Sequence, residues 1–260
     1  MEAQANLAEL LQWYADIGVD EAIGDAPVDR TRVLEKAVVL PMVAVAAPVA
    51  PPAPVPVTGT IEALKEVSAL AAAAKTVDEL RMALENFKGL SLKRTATQMV
   101  FADGNSTARV MVIGDAPGAD EDRSGRPFAG VNGQLLDKML GAIGLKREEN
   151  VYLTTILNWR PPGNRAATED EIKLSLPFIQ RHIELVNPAV IVYIGGAAAK
   201  MLQPASEPIA RLRGKWLTYK SIPALAIFHP EYLLRNPAQK KTAWEDLQML
   251  QGKLKELAIL

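Results

Sequence analysis

The 260-residue chain has no cysteine, only two histidines, and 5% aromatic residues. Without a thiol there is no disulfide, no thiolate zinc site, no cysteine-ligated iron–sulfur cluster and no cysteine nucleophile. The two histidines, His182 and His229, fall on different expected elements with no third ligand beside them, so no metal site is expected and His182 reads as structural. No apolar run reaches the roughly 18 to 20 residues of a membrane span, and the opening MEAQANLAEL carries acids where a signal peptide needs a basic region. A cytosolic protein is expected. Neither sign of charge dominates, the formal net charge being −1. It is unevenly spread: residues 1–90 hold 7 Lys+Arg against 13 Asp+Glu, and residues 91–260 hold 22 against 17, leaving −6 and +5. The basic surplus permits contact with a polyanion and is too small to argue for one.

What is present is the composition of an ordinary globular protein, 49% hydrophobic and 23% charged. Leu7, Leu10, Leu11, Tyr14 and Ile17 recur at helical spacing, which predicts an amphipathic helical segment within residues 1–35. Residues 36–59 are nearly all Ala, Val and Pro, a linker composition with no periodic face to pack. From residue 60 to 260 the pattern is that of one α/β domain. An Ala-rich helix near 60–74 is followed by one whose TVDEL opening, at Thr76, reads as a capped start. Four short apolar runs then alternate with helical patterns: ARVMVIGD (108–115), NVYLTTIL (150–157), AVIVYIGG (189–196) and IPALAIFH (222–229). Such runs predict a four-stranded parallel sheet in a three-layer α/β/α fold, whose ligands gather at the carboxyl ends of the strands.

Three of those ends carry chemistry. After the first comes GDAPGADEDRSGRPFAG (114–130), with Asp115 at the strand tip and Phe128 in an expected turn. After the second comes TILNWRPPGNR (155–165), and after the fourth AIFHPEYLLRNP (226–237), which sets His229 before a proline. Singly, Asp115 reads as a turn cap, Phe128 as core and His229 as a satisfied buried histidine; together on one rim they point to a site. The first loop matches neither the dinucleotide nor the ATP phosphate pattern, and its acidic run 120–122 repels phosphate.

In order, these segments resemble the uracil-DNA glycosylase superfamily, and most closely its family 4, over about residues 89–255. The resemblance implies that Asp115, usually a glutamate there, orients the attacking water. It implies that His229 donates to uracil O2, that Ala116, Phe128 and Thr155 contact the base, and that Leu233 is the wedge entering the minor groove. Arg235, Arg211, Arg213 and Lys215 become candidate phosphate contacts. No cofactor is implied. The expected partner is DNA containing uracil or another deaminated base, with the N-terminal helix a candidate handle for a repair or replication protein. A cytoplasmic, nucleoid-associated monomer is expected.

Two positions depart from the resemblance. Most family 4 members hold a four-iron, four-sulfur cluster on four cysteines; the corresponding residues here are Phe87, Leu90, Trp159 and Ser175, which predicts a hydrophobic plug in its place. The family's base-reading asparagine is here Thr155, whose hydroxyl cannot make a carboxamide's two-point pattern. Three readings stay open: retained uracil cleavage, an altered preference for hypoxanthine or xanthine, and a damage-binding module with little catalysis; separately, Asn158 on a shifted loop is a candidate substitute reader. A Schiff-base lyase has no evident lysine.

Overall fold

The computed structural model describes residues 60–203 and 207–260. The expected N-terminal helix and the 36–59 linker lie outside them. In chain order come helices α1 (Thr60–Ala73) and α2 (Val77–Asn86), then β1 (Ala102–Gly104), β2 (Val110–Gly114), α3 (Ala119–Ser124), α4 (Gly130–Gly141) and β3 (Val151–Thr155). The second half holds α5 (Glu169–Val186), β4 (Val190–Ile194), α6 (Gly196–Leu202), α7 (Ile209–Leu212), β5 (Trp216–Tyr219), β6 (Ile222–Ile227), α8 (Pro230–Arg235) and α9 (Lys240–Glu256).

The sheet has six strands in the order β1-β3-β2-β4-β6-β5, not the four expected. Its four central strands are the parallel ones read from the sequence. The two additions are short antiparallel edges, β1 on β3 and β5 on β6. Each eluded the sequence for a physical reason. β1 has three residues and no apolar run, and the turn joining β5 to β6 puts Lys220 at φ 53°, where glycine or asparagine is the usual signal.

Alternating residues of the parallel strands feed two cores. Met111, Ile113, Tyr152, Ile191, Tyr193, Ala224 and Ala226 pack with α1, α2 and α5 on one face. Val110, Val112, Leu153, Val192, Leu225 and Ile227 pack with α4 and α9 on the other. Burial on both faces is why these strands read as continuous apolar runs. Caps mark the helix starts: Thr76 Oγ1 accepts the Glu79 N–H at 3.1 Å, and Thr168 with Glu171 forms a reciprocal capping box on α5. Among the described residues no helix is long and apolar enough to cross a membrane.

The region expected to form a plug is filled. Phe87, Leu90, Trp159 and Ser175 are 1%, 3%, 5% and 4% exposed. Phe87, Leu90 and Trp159 belong to one hydrophobic cluster, and the Phe87 ring lies 6.0 Å from that of Phe178. Lys93 closes the arrangement, its ammonium donating to Phe87 O at 2.9 Å and lying 5.1 Å from the Trp159 ring centre. Truncating a buried tryptophan costs about 3–5 kcal/mol. Trp159→Ala should therefore lower the melting temperature by on the order of 10 °C, read by calorimetry; a shift of a degree or less would mean that Trp159 bears no load.

Candidate active site

The carboxyl ends of the parallel strands are level. Gly114 stands in register with Thr155 on one side and Ile194 on the other, and Ile194 with Ile227. The loops that follow open on one rim, where the strand order reverses about β2.

Asp115 is the first residue past β2. Its Oδ1 accepts the Ala198 N–H at 2.6 Å, in the first turn of α6, and the Ala197 N–H bonds the same carboxylate. Glycine at 195 permits this approach: its φ is 103°, and a Cβ there would lie 2.3 Å from Asp115 Oδ2. Burial pushes the Asp115 carboxyl up to about 6, against the pull of the two amides. Near neutral pH it is an anion close to its point of protonation, the condition of a proton acceptor.

Phe128 comes from the loop between α3 and α4, with its backbone at φ 53°. Its ring fills the space above Gly114, where a Cβ would lie 2.5 Å from the ring's Cζ. The Phe128 and His229 rings are 6.4 Å apart, centre to centre, and inclined at 31°. At 5% exposure, Phe128 is nearly closed over.

His229 caps α8. Pro230, at the first helical position, has no N–H, and His229 Nδ1 accepts the next one, from Glu231, at 3.2 Å. Burial lowers the imidazole below its ordinary value, with the Glu231 carboxylate acting weakly the other way. The neutral ring with Nδ1 as acceptor carries its proton on Nε2, which makes it a donor there.

Thr155 is 3% exposed, and its hydroxyl donates to Leu157 O at 2.7 Å. Asn158 is committed in part: its side-chain Nδ2 donates to Val100 O at 3.0 Å, and its main-chain carbonyl accepts the Val100 N–H. In the RPPGNR segment, Arg165 makes a two-point contact with Glu171. Ala116 is half-buried beside the core.

Two of the expected DNA contacts, Leu233 and Arg213, are engaged within the fold. Leu233 is 1% exposed and packs with Phe228 and Ala243, whereas Tyr232 and Leu234, at 41% and 39%, are the exposed apolar residues of α8. Arg213 is held by both oxygens of fully buried Asp246, at 2.8 and 2.6 Å, and serves the fold. Lys215 pairs with Glu207 and Arg235 with Glu231 at the surface, contacts weak enough to exchange for phosphate. Arg211 is exposed and has no ion-pair partner among the described residues.

His182 is buried, hydrogen-bonded to Tyr152 at 2.8 Å and pushed down to about 3, away from the rim. Gly114, whose bareness admits the Phe128 ring, drew no notice in the sequence, since only the packed ring reveals its use. Phe87, Leu90, Trp159 and Ser175 offer no sulfur ligand and no space, so they do not fit an iron–sulfur cluster. Among the described residues no group of three or more His, Asp or Glu side chains is arranged to hold a metal.

Known proteins of one family resemble this chain over most of the described residues. The family described as the uracil DNA glycosylase superfamily matches residues 101–248. A type-4 uracil-DNA glycosylase of Archaeoglobus fulgidus is 33% identical over 184 residues, covering 68% of this chain and 92% of that protein. One of Thermotoga maritima is 35% identical over 166 residues, 62% of this chain and 85% of that protein. A DNA polymerase of Bacillus phage SP01 is 29% identical over 160 residues, 62% of this chain but 17% of that protein. The family match takes in all three strand-end loops, and on that ground the chain belongs to the uracil-DNA glycosylase superfamily.

Proposed function

We propose that this protein is a monofunctional DNA glycosylase that hydrolyses the N-glycosidic bond of uracil in DNA and leaves an abasic site. The observation that carries the reading is His229, whose Nδ1 accepts the Glu231 N–H and whose ring centre lies 6.4 Å from that of Phe128, on the rim that bears Asp115. Cleavage builds positive charge on the sugar and negative charge on the departing base. A fixed anion near the first and a fixed donor near the second both strengthen in the transition state.

The roles follow. The extruded base stacks on Phe128, which requires the nearly closed rim to open as DNA binds. Water adds to C1′ and gives its proton to Asp115; the C1′–N1 electron pair leaves with the base, whose O2 accepts the His229 Nε2–H. Leu234, with Tyr232, fills the vacated stack in place of Leu233. Arg211, Lys215 and Arg235 meet phosphates. No lysine stands at the Asp115 position, so the reaction ends at the abasic site.

A second reading, an altered base preference, is favoured by one observation. Both polar side chains that would read the base edge, Thr155 and Asn158, spend a donor on backbone carbonyls. Backbone groups and pocket shape then carry selection, and hypoxanthine or xanthine becomes admissible.

Labelled oligonucleotides carrying uracil, hypoxanthine or xanthine, treated with alkali after incubation, test both readings. Breakage at uracil is expected; breakage only at a purine lesion selects the second reading, and binding without breakage leaves a damage-binding module. Asp115→Asn and His229→Ala should each slow cleavage by about 10²–10⁴-fold while DNA affinity changes little; full rate in either removes its role. Because the ionised Asp115 is the active form and its carboxyl sits at about 6, kcat/KM should fall about tenfold per pH unit below that value and level off above it. Leu234→Ala should depress cleavage in duplex more than in single strands, whereas Leu233→Ala should chiefly lower the melting temperature; the reverse pattern would restore Leu233 as wedge.

A further inference from the structure

Phe128 holds a left-handed backbone, φ 53°, which a bulky side chain keeps only where its surroundings fix it. Arg147, 19 residues away in the stretch KREEN, holds that backbone through two carbonyls. Its side chain is 7% exposed. Nη1 donates to Pro127 O at 2.9 Å and to Asp103 Oδ2 at 2.7 Å. Nη2 donates to Phe128 O at 3.0 Å and to Asp137 Oδ1 at 3.0 Å, and Nε to the same Asp137 oxygen at 3.2 Å. All five N–H donors of the guanidinium are spent.

The two carboxylates, from β1 and α4, offset the buried charge and orient the fork; the fork then holds two successive carbonyls of the Phe128 loop. A planar guanidinium does this, and a lysine ammonium does not. The other side of the loop is closed by Glu121, whose Oε1 accepts the Ala129 N–H at 3.0 Å and Oε2 the Gly118 N–H at 2.9 Å. Gly133 lets the Phe128 carbonyl seat: a Cβ there would lie 1.8 Å from that oxygen. Arg147 bonds the loop's backbone and not the Phe128 ring.

We propose that Arg147 is a positioning residue that, by clamping the Pro127 and Phe128 carbonyls, keeps the Phe128 ring over Gly114 and opposite His229. Its catalytic consequence rests on the stacking role given to Phe128 above; the clamp itself stands on the hydrogen bonds. An arginine serving only to join β1 to α4 would need the two carboxylates and neither carbonyl.

Fluorine NMR of protein labelled with 4-fluorophenylalanine separates the two. The chain has five phenylalanines, and loss of a resonance in Phe128→Leu assigns the one of interest. In Arg147→Lys, the Phe128 resonance should shift or broaden while those of Phe87 and Phe178 stay. Cleavage of uracil-containing DNA should fall at least tenfold through KM, with affinity for abasic DNA within twofold. Arg147→Lys added to Phe128→Leu should cost no more than Phe128→Leu alone. An unmoved Phe128 resonance, or losses that multiply, would overturn the clamp. Asp137→Asn, which keeps an oxygen acceptor and both carbonyl bonds, should leave the resonance in place; a shift equal to that of Arg147→Lys would also overturn it. If the unaltered protein releases no base, the glycosylase reading fails, and the fluorine spectra still decide the clamp.

Discussion

The hydrogen bond from the Glu231 N–H to His229 Nδ1 is the constraint on which the rim depends. It follows from three consecutive residues. Pro230 has no N–H to offer and fixes the helical φ of the first turn, so the first free amide of α8 is that of Glu231, and it meets the imidazole. That one bond selects the tautomer, leaving the proton of the neutral ring on Nε2, in a ring whose centre lies 6.4 Å from that of Phe128. Burial keeps the ring neutral, so its polarity is directional and carries no net charge.

The two titratable groups of the rim are moved by the same cause in opposite directions. Burial raises the carboxyl of Asp115 and lowers His229, because in each case it disfavours the charged form. Near neutral pH the outcome is one anion and one neutral donor, not a mutually cancelling ion pair. In the proposed reaction that pairing suits a transition state with a cationic sugar and an anionic leaving base. It also explains why the carboxylate sits on helix amides and not on an arginine: amide dipoles temper the burial while leaving proton affinity in place.

Much of this was legible in the sequence, and the failures are local. The central strands showed as apolar runs because both of their faces are buried. Asp115, Phe128 and His229 showed because each follows such a run. The edge strands did not, β1 being only three residues long and β5 being joined to β6 through Lys220 at positive φ. Which leucine of the 233–234 pair faces inward was not legible, since only packing against Phe228 and Ala243 shows it. Arg213 was hidden differently: a buried arginine and a DNA-contacting one look alike until Asp246 arrives from a distant segment. The apolar residues at 87, 90 and 159 were readable as a plug because no thiol remained to compete with that interpretation.

The state of His229 is the claim on which the proposed chemistry turns, and it is directly observable. Long-range proton–nitrogen NMR of ring-labelled protein distinguishes the tautomers of its two imidazoles, with His182 identified by substitution. At neutral pH the account requires a neutral His229 protonated on Nε2, titrating below the usual histidine value. A positively charged ring at pH 7, or a neutral ring with its proton on Nδ1, would contradict it.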